Sequence, residues 1–372
     1  MPSADKTMPP ETCDVSVNVC TYNRHRQLQE ALESIVRNQA GDGVQYEVVV
    51  VDNNSTDQTR QVVQSFIESG HSNVRYLFEG RQGLSYARNA AIATARSNIL
   101  AFTDDDVQVS ANWVTTIKRS LDSHPEVDCI GGKVLPSWSS PPPSWLTSEH
   151  WAPVGIADYG DRPFYVNAGH RLCLITANMA FRKQALDRIG KFRPQLQRVQ
   201  DSLGSMEDHE LLVRLWNANG QGLYEPQLVV RSPIVGERVT KSYHRRWHLG
   251  HGRFYAMARL EEMEQSRSGW LFDVSAHMYR RAALAAAAWL WHQLRGDRDR
   301  AFVHETGLLF FAGFFRRRYE DFLDRGERGR LREIGRFART LIRRLLRRQD
   351  APAPGRSSAP ADRRPHGSKF DL

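Results

Sequence analysis

The sequence predicts an α/β protein with a mainly parallel central sheet flanked by helices, followed by an α-helical C-terminal extension. Strand-like and helix-like segments alternate with short connections over roughly the first 125 residues, which is typical of a parallel sheet. The polar clusters of this region stand at the ends of the strand-like segments, where such sheets bind their ligands. From residue 270 onward, apolar helical runs bordered by arginine replace this alternation and indicate a separate helical region.

The elements of the alternating region follow from hydrophobic periodicity. Period-2 or continuous apolar runs predict strands, and apolar residues three and four apart predict helices. Either Ser55 or Thr56, in the polar turn after the second strand, is expected to cap the second helix. The predicted order is a strand over 15–20, a helix through 28–36, a strand over 46–51, a helix through 62–66, a strand over 74–78, a helix over 83–95, a strand over 98–102 and a helix over 113–121.

The composition is that of a globular protein, with 372 residues, 41% hydrophobic, 25% charged and a net charge of +9. The four cysteines form no CxxC pair, which predicts reduced thiols, several of them buried, in a cytoplasmic protein. The first 12 residues contain no apolar stretch of the signal-peptide kind. No uncharged apolar run reaches the roughly 18–20 residues that span a bilayer. We therefore expect any membrane contact to be peripheral, on the inner face of the cytoplasmic membrane.

Three consecutive carboxylates, Asp104, Asp105 and Asp106, stand where the fourth predicted strand ends. They repel one another and lose hydration there, so something must compensate for their charge. A divalent cation shared with the phosphates of a substrate would do so. The alternative is a solvated acidic turn in which Asp106 caps the next helix. If the strand geometry persists, Asp105 points away from its two neighbours and has a structural role.

The turn after the first strand, residues 21–24, contains no glycine. A dehydrogenase-type dinucleotide fold would need a GxGxxG turn at this point, and a P-loop is also absent. A bound nucleotide would therefore be held by side chains rather than by a glycine cradle.

The chain resembles the family 2 glycosyltransferases, which have the A-type nucleotide-sugar-dependent fold. The resemblance covers roughly residues 15 to 230. It implies a metal-dependent, inverting transfer of a sugar from a nucleotide diphosphate sugar to an acceptor hydroxyl, in bacterial polysaccharide or cell-envelope glycan biosynthesis. Five motifs in the family's order carry it: residues 19–24, 51–57, 83–89, the DxD motif at 102–106 and the acidic motif at 206–211.

The resemblance implies a donor site built by the first three motifs. Thr21 and Tyr22 would pack against the base and ribose, and Asp52 would accept a hydrogen bond from the pyrimidine. Arg24 and Arg88 would contact the nucleotide or diphosphate, because a guanidinium matches phosphate oxygens. The alternative is a pair of surface arginines.

The resemblance also divides the acid triplet. Asp104 would contact the ribose or the metal, and Asp106 would ligate Mg2+ or Mn2+ that bridges the two phosphates. Asp105 belongs to the same nucleotide-sugar-binding segment. Magnesium keeps several waters and takes few protein carboxylates, which suits so sparse a site.

Asp208, with Glu207 beside it, is the candidate for general base. It would open a helix whose N-terminus favours its ionised form, while the charges of Glu207 and Glu210 would push protons back on. The alternative is that Glu207 and Asp208 only cap this helix. A single base attacking in line implies inversion at the anomeric carbon.

The acceptor is expected to meet the aromatic stretch between the two acidic motifs. Trp138, Trp145 and Trp151 stand there among Pro, Gly and Ser, which predicts an ordered irregular loop. Aromatic faces stack on sugar rings or line a lipid-tail groove. The alternative is a small satellite core packed on the sheet.

A basic segment follows the catalytic region, and His244, Arg246 and Trp247 are expected to close over the diphosphate. The Arg246-Trp247 pair resembles part of the QxxRW motif of processive synthases in this family. Tyr243 stands where their glutamine would be, which favours the addition of a single sugar. A solvated basic helix is the alternative.

The C-terminal region is predicted from helical runs at 282–291, 308–315 and 331–348. Apolar faces bordered by arginine suit helices at an anionic membrane interface, a helical subdomain or a dimer contact. The predicted organisation is a disordered N-terminus over 1–12, a catalytic domain over 13–235 with nucleotide-sugar-binding (13–125) and acceptor-binding (126–235) halves, a basic helical extension over 236–350 and a disordered tail over 351–372.

Two other function classes compete with glycosyl transfer. A nucleotidyltransferase acting on sugar phosphates shares the sheet topology and the acidic metal ligands, but it would carry a glycine- and lysine-rich first loop. A nucleic-acid-binding protein would fit the positive charge. However, the arginines concentrate in apolar helical segments rather than in a recognised binding motif. We therefore expect a nucleotide sugar and a glycan or lipid-linked acceptor as partners, and no nucleic acid.

Overall fold

The computed structural model of the protein describes residues 13–38, 43–197, 203, 206–260 and 270–326. The chain divides into two compact units, Met1–Trp247 and His248–Leu372. The N-terminus at 1–12, the helical run at 331–348 and the tail at 351–372 lie outside the described residues. The domain boundaries drawn from the sequence stay predictions.

The first unit contains one nine-stranded sheet flanked by helices. The strands are β1 (Val15–Thr21), β2 (Tyr46–Asp52), β3 (Val74–Phe78), β4 (Ile99–Asp104), β5 (Gln108–Val109), β6 (Cys129–Trp138), β7 (Phe164–Val166), β8 (Asn178–Arg182) and β9 (Gly222–Ile234). The helices are α1 (His25–Val36), α2 (Thr59–Glu68), α3 (Leu84–Thr94), α4 (Trp113–Ser123), α5 (Trp151–Val154), α6 (Lys183–Ile189) and α7 (Glu207–Asn217). Helix α8 (Lys241–Ala258) begins in this unit.

The sheet is parallel in its first half and mixed in its second. Its strand order is β3-β2-β1-β4-β8-β6-β9-β5, with β7 also paired to β9. Strands β3, β2, β1 and β4 run parallel, as the alternation of strands and helices predicts. Strand β8 then pairs antiparallel with both β4 and β6. A short apolar strand carries no signal of its direction, so the sequence predicts the parallel half better than the mixed one.

The predicted helices form because one face of each is apolar. In α1, for example, Leu28, Ala31, Leu32 and Ile35 are buried at positions three and four apart, and the helix packs this face on the sheet. The expected cap of α2 is wrong, because Asp57 accepts the hydrogen bond from the Thr59 backbone N–H at 3.0 Å.

The expected caps, Ser55 and Thr56, instead fasten the loop after β2 to the loop after β1. The Ser55 hydroxyl accepts a hydrogen bond from the Asn23 N–H at 3.0 Å. The Thr56 N–H donates to the Asn23 side chain at 2.7 Å. The two loops that carry the first two motifs therefore hold each other in place.

A buried amide on β8 binds to β6, β9 and α4. The Asn178 side chain donates to the carbonyl oxygens of Lys133 and Leu228, at 2.8 Å each, and accepts from the indole N–H of Trp113 at 2.7 Å. Gly132 lies beside it, where the pairing of β6 with β9 shifts register. A Cβ at Gly132 would overlap the Leu228 carbonyl, so only glycine allows this close approach of the two strands.

Over the residues that the structure describes, the second unit consists of helices and one short hairpin. Strands β10 (Trp270–Leu271) and β11 (Val274–Ser275) pair antiparallel and lead into α9 (Ala276–Leu294) and α10 (Arg298–Leu323). The predicted runs at 282–291 and 308–315 lie in these two helices, and the helical C-terminal region is confirmed. Gly252 of α8 and Gly313 of α10 are points where the two backbones touch, since a Cβ at either would meet the other helix's carbonyls.

A buried aspartate in the second unit binds three arginines from different segments. The Asp273 carboxylate accepts hydrogen bonds from Arg259 at 2.7 Å, from Arg318 at 3.4 Å and from Arg325. Among the described residues, no helix is long and apolar enough to cross a membrane. All four cysteines are free thiols as predicted, but Cys129 is the single one that is fully buried.

Candidate active site

The five predicted motifs meet at the edge of the sheet where the parallel strands end. Strands β1, β2 and β4 are neighbours, and their register places Thr21 beside Asp52 and Cys20 beside Asp104. The N-terminal part of α3 brings Arg88 to the same edge, and the first turn of α7 brings Asp208. Residues far apart in the sequence therefore form one polar cluster at the carboxyl ends of the strands, where α/β folds bind ligands.

The acid triplet alternates in exposure. The side chains of Asp104 and Asp106 are 42% and 23% exposed, while that of Asp105 is 7% exposed. The exposures match the predicted division, but β4 ends at Asp104, so Asp105 and Asp106 lie in the turn that follows the strand. The alternative in which Asp106 caps the next helix is wrong, because α4 begins after Asn112 with no side-chain cap.

Arg24 lies against the acid triplet. One of its guanidinium nitrogens is 3.1 Å from the Asp105 carboxylate and 2.9 Å from Oδ2 of Asp106. The Asp105 charge raises the pKa of Arg24, with burial acting against it and Asp106 adding to it. Burial raises the pKa of Asp105 itself to about 7, although Arg24 lies beside it. Arg24 is thus a half-exposed cation that neutralises two members of the triplet.

Arg88 occupies a second, more deeply buried position. Its guanidinium lies 2.8 Å from Asp208, 3.3 Å from Glu207 and 3.7 Å from Asp104. Burial alone would lower the pKa of Arg88, but the three carboxylates outweigh burial and hold it above its ordinary value. The alternative of a surface arginine is therefore wrong for Arg88. One buried cation links the acid triplet to the candidate base.

Asp208 is held by hydrogen bonds on both of its oxygens. Arg88 donates to Oδ1, while the Thr176 hydroxyl and backbone N–H donate to Oδ2 at 2.6 Å and 3.2 Å. Asp208 does not cap α7, since the N-cap position is Met206 and no side chain caps it. The carboxylate is thus oriented by two separate elements, and its side chain remains 22% exposed.

The glutamates beside Asp208, which the sequence predicts to raise its basicity, are each paired with arginine. Glu207 is buried against Arg88, at 3.3 Å. Glu210 pairs with Arg214 at 2.7 Å and with Arg193 at 3.0 Å. Arginines therefore offset the charges of both glutamates. Arginines that lie distant in the sequence supply this neutralisation, and the local acidic motif does not reveal them.

The first two motifs surround a buried carboxylate. Asp52 accepts hydrogen bonds from the Tyr76 hydroxyl at 2.7 Å and from the Ser55 N–H at 2.8 Å. Burial, together with the bond to Asp52, raises the pKa of Tyr76 to about 12. Of the two residues expected to pack on the nucleotide, Thr21 is buried and Tyr22 is exposed. Tyr22 therefore presents the accessible ring of this loop.

The three candidate acceptor tryptophans are all half-buried. Trp138 and Trp151 pack against a small apolar cluster of Val154, Ile156 and Ile234. The ring centroid of Trp145 is 5.3 Å from that of His150, and the Lys241 ammonium lies 5.6 Å above the ring. These contacts are those of the satellite core that the sequence left as the alternative. Contact with an acceptor stays a prediction.

The basic segment places its side chains differently from the predicted lid. His244 is fully buried against Trp145, and its Nε2–H donates to the Arg238 carbonyl oxygen at 3.0 Å. Burial lowers the pKa of His244 to about 4. Arg246 is exposed and pairs with Glu237, and Trp247 is half-buried. His244 therefore packs the fold and does not face a diphosphate in this arrangement.

The structure brings to the triplet a residue that the sequence motifs miss. Arg238, in the short 3-10 turn Gly236–Val239 after β9, lies 3.8 Å from Oδ2 of Asp106. Its position just past a strand end is a signal that could have found it. A cavity of about 230 Å3 opens beside this pair and is lined by Arg24, Gln27, Glu30, Ala31, Asp106, Val107, Gln108, Pro233, Val235 and Arg238.

The exposed members of the triplet suit a hard divalent cation. Asp104 and Asp106 offer carboxylate oxygens, the donors that Mg2+ and Mn2+ prefer. Within the described ranges, no group of three His, Cys, Asp or Glu side chains converges as a metal site. A metal at this position would therefore complete its coordination with water and phosphate oxygens, as Mg2+ commonly does.

Comparison with known proteins identifies a family and several relatives that this chain resembles. The model of the family described as Glycosyl transferase family 2 matches residues 16–190. The succinoglycan biosynthesis protein ExoM of Rhizobium meliloti is 25% identical over 71% of this chain and 81% of its own length. The glycosyltransferase AglE of Haloferax volcanii is 35% identical, over 32% of this chain and 39% of AglE.

Among solved structures, the fold is similar to that of the mannosyltransferase PcManGT from Pyrobaculum calidifontis, determined with GDP-Man and Mn2+. The TM-score is 0.51 at 20% identity, and the match covers 82% of this chain and 86% of that one. At this identity the likeness concerns the fold, which is of the A-type. The family match separates the chain from the nucleotidyltransferase and nucleic-acid-binding alternatives. Residues 16–190 match the model of the family 2 glycosyltransferases, and this match together with the relatives identifies the chain as a glycosyltransferase.

Proposed function

We propose that the protein transfers one sugar from a nucleotide diphosphate sugar to an acceptor hydroxyl, with inversion and with a divalent metal. The observation that carries this proposal is the bridge formed by Arg88. Its guanidinium contacts Asp104, on the donor side, and Asp208, the candidate base. A donor held by the acid triplet and a hydroxyl held by Asp208 would therefore lie side by side. Such placement is a large part of the catalysis of a two-substrate reaction.

The donor would lie along the ends of β1, β2 and β4. Tyr22 offers an exposed ring to the base, and Asp52 has a second lone pair on each oxygen beyond the bonds from Tyr76 and Ser55. Asp104 would contact the ribose or the metal. Mg2+ or Mn2+, when bound by Asp106 and Asp104, would neutralise the charge that develops on the departing diphosphate.

Arg24 can pair either with Asp106 or with the diphosphate of a bound donor. It now occupies Oδ2 of Asp106, one of the oxygens that a metal would use. We infer that Arg24 turns from Asp106 to the diphosphate when donor and metal bind, since a guanidinium binds phosphate oxygens as well as carboxylates. Its half-exposed position permits that movement. Arg238 lies on the other side of Asp106 and can contribute a second positive charge.

Asp208 would remove the proton of the acceptor hydroxyl. Its Oδ1 accepts one bond from Arg88, and the second lone pair of this oxygen can take a hydroxyl proton. The acceptor oxygen then forms a bond to the anomeric carbon while the bond to the diphosphate breaks, and the nucleotide diphosphate leaves with the electron pair. One displacement inverts the anomeric centre.

The acceptor is proposed to be a glycan or a lipid-linked saccharide of bacterial polysaccharide or cell-envelope assembly. ExoM, named for succinoglycan biosynthesis, supports this pathway class. The exposed parts of Trp138, Trp145 and Trp151 offer aromatic surface to a sugar ring. Tyr243 in place of the synthase glutamine favours one addition rather than polymerisation. A lipid-linked acceptor would bring the enzyme to the surface of a membrane.

The test is a screen of nucleotide sugars with the full-length protein. We expect one donor to release its nucleotide diphosphate with Mn2+ or Mg2+, and EDTA to stop the release. Asp208→Asn should lower turnover about 1000-fold, within the range of general-base catalysis, while the donor still binds. Asp122→Asn, an exposed aspartate paired with Lys118, is the matched control. Failure of every donor to bind, or full turnover in Asp208→Asn, would contradict the proposal.

A further inference from the structure

Helix α9 carries no charged residue over its last 13 positions. Residues 282–294 contain no Asp, Glu, Lys or Arg and consist of Ala, Leu and Trp with one His and one Gln. A helix of this kind is ordinarily buried from every direction, either in a protein core or in lipid. Here it lies at the surface of the second unit.

One face of α9 packs against α10. Met278 is buried, the Tyr279 ring stacks on Phe315 with centroids 5.0 Å apart, and His292 stacks on His304 at 5.3 Å. Met278 and His292 are fourteen residues apart, about four helical turns, so they lie on the same side of the helix.

The opposite face is exposed. We call Leu284, Leu290, Trp291 and Leu294 the α9 strip; their side chains are 59%, 52%, 54% and 78% exposed. The helical spacing of these residues places them together on the side that faces away from α10. An exposed strip of large apolar residues indicates a surface that another partner covers.

The charged residues nearest the strip are basic. Arg280 and Arg281 precede it within α9 and Arg295 follows it directly, while Asp297 and Asp299 stand at the start of α10. The Arg295 guanidinium lies 4.1 Å from the centre of the Trp291 ring, so its stem covers part of the strip while its head stays in water. Basic residues at both ends of an apolar strip match an anionic surface with an apolar interior.

We propose that the α9 strip docks on an anionic phospholipid membrane. Trp291 and the leucines would enter the boundary between head groups and acyl chains, and the three arginines would contact lipid phosphates. This inference does not depend on the transfer reaction, because it rests on residues of the second unit. It assigns a binding surface to the helical region.

The charges argue against two other occupants. If two copies paired through this strip, Arg280 and Arg281 of one would lie opposite the same arginines or opposite Arg295 of the other. Segment 331–348 of the same chain holds seven arginines and one glutamate, so it too would bring like charge to the strip. An acidic lipid surface is the partner that satisfies both the apolar and the basic residues.

The experiment is co-sedimentation of the full chain with vesicles. We expect binding to phosphatidylcholine vesicles that contain phosphatidylglycerol, and much weaker binding to pure phosphatidylcholine. The double variant Leu290→Gln/Trp291→Gln should lower the partition coefficient about tenfold or more, from the apolar area that no longer leaves water. Arg280→Gln/Arg295→Gln should lower it by about tenfold at low salt, and by less at high salt. All four positions are exposed, so these variants should fold.

The matched control is Phe78→Gln, which removes an apolar side chain that is also 54% exposed but lies in the first unit. Its vesicle binding should equal that of the parent. Nucleotide-sugar turnover by Leu290→Gln/Trp291→Gln in the absence of vesicles separates lost docking from lost folding. The proposal is overturned if the parent stays in solution with anionic vesicles, or if Leu290→Gln/Trp291→Gln binds like the parent. A parent dimer that this variant converts to monomer would assign the strip to a second copy and would also overturn it.

Discussion

Two arginines serve the candidate active site, and they are held in different ways. Arg88 is 5% exposed and lies within 3.7 Å of three carboxylates, on β4 and on α7. Arg24 is 35% exposed and lies within 3.1 Å of two, both in the acid triplet. Arg88 is buried and links two secondary-structure elements, whereas Arg24 lines a cavity at the surface.

This difference indicates which of the two arginines can leave its carboxylate partners when a ligand binds. Removing a buried partner leaves an uncompensated charge in a low-dielectric surrounding, so Arg88 cannot move without a large cost. A half-exposed ion pair contributes little and is screened by water, so Arg24 can move at small cost. We therefore interpret Arg88 as the residue that positions Asp208, and Arg24 as a cation that substrate phosphates and a metal can displace.

The largest expected effect is the loss of stability when Arg88, rather than Arg24, is replaced. Arg88→Met should lower the free energy of unfolding by about 3–5 kcal/mol, because Glu207 and Asp208 lose their buried partner. Arg24→Met should lower it by about 1 kcal/mol or less, as for other half-exposed pairs. Urea denaturation measures both. Arg37→Met, in an exposed pair with Glu33, serves as the control. Equal losses for Arg88→Met and Arg24→Met would remove the distinction.

The contrast also marks what the sequence could and could not predict. The parallel strands, their helices and the motifs at their ends follow from periodicity and from the strand-end rule for α/β folds. The pairing of Arg88 with Asp208 joins residues 120 positions apart, so no local pattern contains it. The same holds for Arg193 with Glu210 and for Arg238 with Asp106.

Burial is the other quantity that local pattern did not supply. The sequence predicts His244 to be part of a basic helical segment, but the fold buries it between Trp145 and His150. Its neighbours come from a loop about 100 residues earlier, which spacing along α8 does not reveal. The low exposure of Asp105 agrees with the prediction, but its reason does not, because β4 ends at Asp104 and one Arg24 nitrogen contacts both Asp105 and Asp106.

A smaller effect is expected on metal binding. Arg24→Gln should tighten the binding of Mn2+ in the absence of donor by up to about fivefold, the equivalent of the roughly 1 kcal/mol of a half-exposed ion pair. The reason is that Oδ2 of Asp106 no longer has a guanidinium partner at 2.9 Å. Electron paramagnetic resonance of free Mn2+ measures this directly. Arg238→Gln, whose charge lies farther away at 3.8 Å, should change the affinity less. Unchanged or weaker Mn2+ binding in Arg24→Gln would show that Arg24 does not compete with the metal.

The smallest effect concerns the pH dependence of stability in EDTA. The pKa of Asp105 rises from 3.8 to about 7 on folding, so its contribution is complete below about pH 3.8 and is lost as the pH rises toward 7. The pKa of His244 falls from 6.5 to about 4, so its contribution is complete above pH 6.5 and is lost as the pH falls toward 4. The two slopes oppose each other between pH 4 and 6.5.

Single variants should therefore expose one slope at a time. Asp105→Asn should leave a protein whose free energy of unfolding increases from pH 4.5 to 6.5, because His244 still resists protonation inside the fold. His244→Gln should show the reverse trend, since Asp105 then dominates the same interval. Urea titrations at several pH values measure both. If the free energy of unfolding of the two variants changed with pH in the same way, the burial of Asp105 and of His244 would not govern the pH dependence of stability. Both side chains would then be as well hydrated as surface residues.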